Sequence, residues 1–213
     1  MNGAHAVART LLNSGVEVCF ANPGTSELHF VAALDDDPAL RAVPCLFEGV
    51  ATGAADGYGR MTGRPAATLL HLGPGLGNGL ANLHNARRAG TPVVNLVGDH
   101  ATFHKKYDAP LESDVDALAR TVSGWVRRCD NPGTVGGDVA EAVAAATGAP
   151  GQVATVLLPA DVSWSDSARP VPPVPARPQL PYPRVRLPQW PRPCTPVSAP
   201  PCSSVAPRPA NRP

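Results

Sequence analysis

Short apolar runs at 16–21, 43–47, 66–72, 92–97 and 152–158 alternate with segments whose apolar residues recur at helical spacing. That alternation leaves few folds open. Strands that are each followed by a helix, rather than by a tight hairpin turn, predict a mostly parallel sheet covered on both faces. We expect an α/β fold with five or six strands. Helices are expected at 3–13 with Gly15 as C-cap, at 28–34 with Thr25 or Ser26 as cap, from Glu48, at 76–88 and at 138–147. A weaker helical signal lies near 111–120.

From Pro170 the pattern stops. Sixteen of the last 44 residues are Pro, and the stretch carries six Arg but no Lys, Asp or Glu. Such a segment can neither maintain a backbone ladder nor bury a core, so we expect a folded domain over 1–167 and a disordered or polyproline-like tail over 168–213. The abrupt switch also suggests an out-of-frame coding end. The formal charge of +1 hides an asymmetry, because without the tail's six Arg, 12 basic residues face 17 acidic ones. Nothing there suggests a nucleic-acid footprint. No basic-then-apolar leader is recognisable and no apolar run has membrane-spanning length. Cysteines at 19, 45, 129, 194 and 202 lack CxxC spacing and read as reduced thiols in a cytoplasmic protein. His100, His104 and Cys129 lack the companions of a zinc site.

Candidate chemistry lies at the ends of three apolar runs, which a parallel sheet gathers along one edge. The first is Asn22-Pro23-Gly24-Thr25-Ser26-Glu27. The second is Glu48, opening a segment with Gly49, Gly53 and Gly57 at i, i+4 and i+8. Each glycine costs roughly 1 kcal/mol against Ala in a helix, so another backbone or a flat ligand is expected to pack on that stripe. The third is the glycine-rich turn His71-Leu72-Gly73-Pro74-Gly75-Leu76-Gly77-Asn78-Gly79. It fits neither GxGxxG, since Asn78 and Leu80 stand where glycine is required, nor a P-loop. It does offer close backbone approach beside two polar side chains, His71 and Asn78. Asn78, Asn82 and Asn85 form an amide stripe, which is either a buried polar contact, a subunit seam or a solvated face.

Taken together, these segments resemble the pyrimidine-binding domain of thiamine-diphosphate-dependent enzymes, nearest to the acetolactate synthase large subunit and its benzoylformate-decarboxylase-like relatives. The resemblance covers roughly 1–165. It rests on 22–27, on Phe47-Glu48-Gly49 with Ala55-Asp56-Gly57-Tyr58-Gly59-Arg60, and on His71…Gly73-Pro74-Gly75…Asn78. It implies that Glu48 hydrogen-bonds N1′ of the aminopyrimidine and favours its imino tautomer. It further implies that Pro23, Gly24, Pro74 and Asn78 help to bind the cofactor, that Thr25 faces the substrate, and that His71 is a substrate-side acid/base. Synthases commonly have Thr at the position of His71 and Gln at that of Asp99, which favours a synthase-like protein acting on an unspecified 2-oxo acid. The family's Gly-Asp-Gly…Asn stretch for Mg²⁺ and diphosphate is not found here. The cofactor's aminopyrimidine end alone is therefore expected in this chain, with Mg²⁺ and diphosphate held by an absent domain, in a homo-oligomer or with a complementary chain. The alternative is a catalytically silent interaction module that retains the fold and its helix seam.

Overall fold

The structure, a computed structural model, describes residues 1–176, so most of the expected tail lies outside the described residues. The elements are α1 (Gly3–Asn13), β1 (Val18–Asn22), a 3-10 turn (Thr25–Glu27), α2 (Leu28–Asp36), β2 (Arg41–Pro44), α3 (Glu48–Thr62), β3 (Ala66–His71) and α4 (Leu72–Ala89). They continue with β4 (Val93–Asp99), a second 3-10 turn (Lys105–Tyr107), α5 (Val115–Val122), β5 (Trp125–Arg128), α6 (Val135–Thr147), β6 (Val153–Pro159) and α7 (Ala160–Trp164). All six strands are parallel, in the order β2-β1-β3-β4-β6-β5. The expected α/β fold is present, with six strands.

Alternation along each strand divides the core in two. Ala67, Leu69, Val94, Leu96, Ala154 and Val156 pack against α1, α2, α6 and α7. Ala66, Leu70, Val93, Val97, Val153 and Leu157 pack against α3, α4 and α5. Both faces are dry, which is why β3, β4 and β6 are apolar throughout rather than alternating with polar residues. The exception is a row of polar residues in direct register, Thr68, Asn95 and Thr155, all fully buried. Thr68 Oγ1 donates to Asn95 Oδ1 at 2.7 Å, Asn95 Nδ2 donates to Thr155 Oγ1 at 3.0 Å, and Ser123 Oγ lies 2.7 Å from Thr155 Oγ1. A one-residue slip of any of the three strands would break this row and reverse every side chain's facing.

Several boundaries differ from expectation for identifiable reasons. The run 43–47 is not all strand: β2 ends at Pro44, which has no N–H to continue a ladder, and Leu46 is fully exposed. The supposed turn 71–79 is helix from Leu72 onward, and Leu72 itself takes a positive φ of 53° at the junction. Packing overrides propensity there, because a Cβ on Gly79 would meet Thr52 and Leu70, and one on Gly73 would meet Ser113. Neither Thr25 nor Ser26 caps a helix with its side chain; Glu27 instead accepts the Gly24 N–H at 2.7 Å. Strand β5 and helix α7 were not anticipated. The chain stays packed just beyond 167: Ala168 is buried, and the Val171 N–H donates to Thr10 Oγ1 at 3.2 Å.

The polar row makes a direct prediction. Thr155→Val should cost about 1–3 kcal/mol, since Asn95 Nδ2 and Ser123 Oγ lose their buried partner. Urea denaturation reads this as a lower midpoint at unchanged slope, and an unchanged midpoint would contradict the role assigned to the row.

Candidate functional site

Strands β1 and β3 are neighbours, yet the helix after β1 (α2) covers one face and the helix after β3 (α4) covers the other. A crevice opens between the carboxyl ends of such a strand pair, and ligands of open α/β sheets bind there. Residues 22–27 follow β1, and 72–79 begin the helix after β3. Glu48 opens α3, whose preceding strand β2 pairs with β1.

Glu48 is the first helical residue after Phe47, whose extended backbone ends the approach to α3. It is only 8% exposed. Asn78 Nδ2, one turn into α4, donates to Glu48 Oε2 at 3.0 Å. Oε1 has no hydrogen-bond partner among the described residues and lies 3.4 Å from where a Cβ on Gly75 would stand. The same point is 3.5 Å from His71 Cβ. Gly75 is thus a shared bare wall between the carboxylate and the histidine.

Helices α3 and α4 lie side by side behind this wall. Asn82 Nδ2 donates to the Gly49 carbonyl at 2.7 Å, and Thr52 Oγ1 donates to the Glu48 carbonyl at 2.9 Å. Two of the three amides of the stripe therefore face α3, while Asn85 is exposed. Of the two occupants expected on the glycine stripe of α3, another backbone or a flat ligand, no second backbone packs there among the described residues. A Cβ on Gly53 would meet the Asn82 amide, one on Gly49 would meet the ring of Phe47, and one on Gly57 would meet nothing. Asp56 is buried and works away from the crevice, paired with Arg60 at 2.8 Å and accepting from Thr91 Oγ1 at 2.7 Å. The second half of the 47–60 motif thereby ties α3 to the start of β4.

The largest omission from the sequence reading is Glu27. Its side chain is 1% exposed, and its Oε2 lies 2.8 Å from His71 Nδ1 while accepting the Gly24 N–H. Glycine at 98 makes room for it, because a Cβ there would fall on Oε1. Oε1 is buried without a partner. Burial pushes the Glu27 carboxyl above its ordinary value, against the lowering effects of the Gly24 N–H and of His71. The available signal was local: Gly24 and Glu27 have the spacing of a capping box. Gly24 sits under the His71 ring, where a Cβ would approach Nδ1 to 2.4 Å.

Pro23, Thr25, Pro74 and Asn78 have large exposed fractions, and Gly24 and His71 are half-buried. Contacts bring Gly24, His71, Gly75, Glu48 and Asn78 together, and Pro23, Thr25 and Pro74 adjoin them along the chain. Asp99, nearly buried at the end of β4, is paired with Lys105 at 3.2 Å and with Arg128, and it anchors the 100–114 segment beside the site. The adjoining cavity of about 360 Å³, lined in part by Lys105, Glu112 and Ser113, includes neither Glu48 nor His71.

Residues 1–119 match the family described as "Thiamine pyrophosphate enzyme, N-terminal TPP binding domain". The chain belongs to that family. It is 68% identical over 177 residues to the "Putative acetolactate synthase large subunit IlvX" of Mycobacterium tuberculosis, covering 83% of this chain and 34% of that protein. Benzoylformate decarboxylase of Pseudomonas aeruginosa is 32% identical over 127 residues, covering 59% of this chain and 24% of the relative. The thiamine diphosphate-dependent 4-hydroxybenzoylformate decarboxylase of Rhodococcus jostii RHA1 superimposes with a TM-score of 0.73 at 25% identity, over 81% of this chain and 32% of that one. The chain spans about a third of the length of these relatives or less. Among the described residues no helix of this thiamine pyrophosphate enzyme domain is long and apolar enough to cross a membrane.

Burial of Glu27 fixes a pH dependence. Its carboxyl titrates higher in the folded chain than in the unfolded one, so its favourable contribution is complete below the ordinary Glu value of about 4.3 and declines as pH rises through the raised folded value. Unfolding free energies measured from pH 4 to 8 should show Glu27→Gln gaining on the parent chain as pH rises. A constant difference would contradict the assignment.

Proposed function

We propose that this chain supplies the aminopyrimidine-binding half of an acetolactate-synthase-like, thiamine-diphosphate-dependent enzyme acting on a 2-oxo acid in the cytoplasm. On this reading Mg²⁺ and the diphosphate are held by a surface from outside the described residues, and the chain is inactive alone. The observation that carries the reading is Glu48: a nearly dry carboxylate with one oxygen engaged by Asn78 and the other free beside the bare wall of Gly75.

The residues fit the cofactor. A flat heteroaromatic ring needs a side-chain-free wall, which Gly75 offers, and an acceptor for a ring nitrogen, which Glu48 Oε1 offers. When bound, thiamine diphosphate supplies an electron sink for carbon–carbon bond cleavage or formation next to a carbonyl. Glu48 accepts a hydrogen bond from the ring, and the low local dielectric makes that bond stronger than it would be in water. Asn78 donates to Oε2 and so keeps Oε1 aimed at the ring. Pro23 and Pro74 would flank the ring without adding donors, and Asn78 would complete the set of residues that hold the cofactor. On the substrate side, His71 and Thr25 flank the same opening. The imidazole can exchange a proton with a substrate through Nε2, since Nδ1 is engaged by Glu27.

A row of exposed apolar residues runs from the approach to α3 along that helix: Leu46, Phe47, Val50 and Met61. It supports association with a second copy or a complementary chain. The same row favours the second reading, a silent interaction module.

Two measurements separate the readings. Titration of the lone chain with thiamine diphosphate and Mg²⁺ should perturb the amides of Gly24, Gly49 and Gly75 weakly, with no pyruvate turnover. Turnover by the lone chain would refute its incompleteness, and absence of any perturbation would favour the silent module. In an assembly complemented with the missing half, Glu48→Gln should keep the fold and slow exchange of the cofactor's C2 proton by at least ~100-fold. Undiminished exchange would remove Glu48 from this role.

A further inference from the structure

Resting on the reading of His71 as the substrate-side base, we infer that Glu27 is its positioning residue, holding the imidazole in the tautomer that carries its proton on Nδ1 and so leaving the Nε2 lone pair toward the crevice.

Three independent features of the fold converge on this carboxylate. The first is connectivity. Glu27 ends the 3-10 turn after β1, His71 ends β3, and the two are 44 residues apart in sequence, yet Oε2 lies 2.8 Å from Nδ1. The second is steric. A Cβ on Gly24 would strike the imidazole, and one on Gly98 would overlap Glu27 Oε1. Two glycines on different loops and strands therefore seat the ring and the carboxyl group against each other. The third is satisfaction of hydrogen bonds. Oε2 accepts the Gly24 N–H at 2.7 Å, which fixes the direction from which it meets the ring, while Oε1 is buried without a partner. A buried polar atom left unpaired costs stability, and here the opposite end of the same group faces a half-buried histidine at the site.

The chemical consequence follows from the two nitrogens of a neutral imidazole, one of which donates while the other accepts. An acceptor on Nδ1 makes it the protonated nitrogen, and Nε2 becomes the base. Nε2 has no partner among the described residues, and the His71 side chain is 23% exposed. Without Glu27 the ring could rotate or change tautomer, and the crevice would then meet an N–H where it needs a lone pair.

The test reads tautomers directly, by ¹⁵N NMR of ring-labelled histidine in the chain without cofactor at pH 8. Wild-type His71 should show the proton on Nδ1; a proton on Nε2 overturns the proposal without recourse to any variant. Glu27→Met, which keeps length and burial but removes both acceptors, should lose the Nδ1 proton signal of His71 while circular dichroism stays native. Glu27→Gln, whose carbonyl oxygen can still accept from both Gly24 and His71, should restore it. A native Glu27→Met chain with an unchanged tautomer would show Glu27 to be merely structural. No cofactor is present, so a negative result removes the positioning role and leaves the cofactor titration free to succeed. Conversely, a chain that fails to bind thiamine diphosphate can still show the tautomer.

Discussion

A carboxylate that is only 8% exposed must have its charge answered or it will not stay buried. At Glu48 the answer is a single amide donor, Asn78 Nδ2 on Oε2, and it engages only one of the two oxygens. Everything around the site serves this arrangement. Helix α3 must begin at residue 48 so that the carboxylate stands at the mouth of the crevice, and α4 must lie close enough for its second turn to reach it. The closeness comes from small residues at the seam, with Gly79 against Thr52 and Gly53 against Asn82. Asn82 adds a bond to the Gly49 carbonyl that fixes the relative height of the two helices.

The sheet provides the rest of the geometry. Opposite exits of α2 and α4 from neighbouring strands β1 and β3 open the crevice, and the largely apolar central strands bury both faces. The polar row Thr68–Asn95–Thr155 holds the register on which the positions of His71 and Gly98 depend. A site built this way has one wall and one opening. Gly75 presents no side chain beside Glu48 Oε1 in that opening. The chain spans about a third of the length of the similar proteins named above.

Much of this was legible in the residues. Helices α1, α3 and α6 and strands β3, β4 and β6 announce themselves through periodicity, because their faces are uniformly dry or clearly amphipathic. The fold class followed, Glu48 and His71 were singled out as polar residues at the ends of apolar runs, and Asn78 as the polar residue at the far end of the glycine-rich segment. Other features escaped for physical reasons. Strand β5 is four half-buried residues ending in Arg127 and Arg128, whose charges are answered by Asp138, Glu141, Asp99 and Asp116, so it lacks an apolar signature. The segment 73–79 looked like a turn because glycine disfavours helix, yet contacts from Ser113, Thr52 and Leu70 require small residues in a helix there. Glu27 was named only as the last residue of the 22–27 segment, with no role of its own. Its partners His71 and Gly98 are distant in sequence, and only the sheet order brings them together.

The central claim is that Glu48 keeps one oxygen free for a nitrogen of a bound heteroaromatic ring. A crystal of this chain soaked in thiamine diphosphate and Mg²⁺ tests it most directly. The account predicts electron density for the aminopyrimidine flat against Gly75, with N1′ within hydrogen-bond distance of Glu48 Oε1 and Asn78 still on Oε2. A ring bound elsewhere, or Glu48 Oε1 turned away from a ring that occupies the crevice, would contradict it.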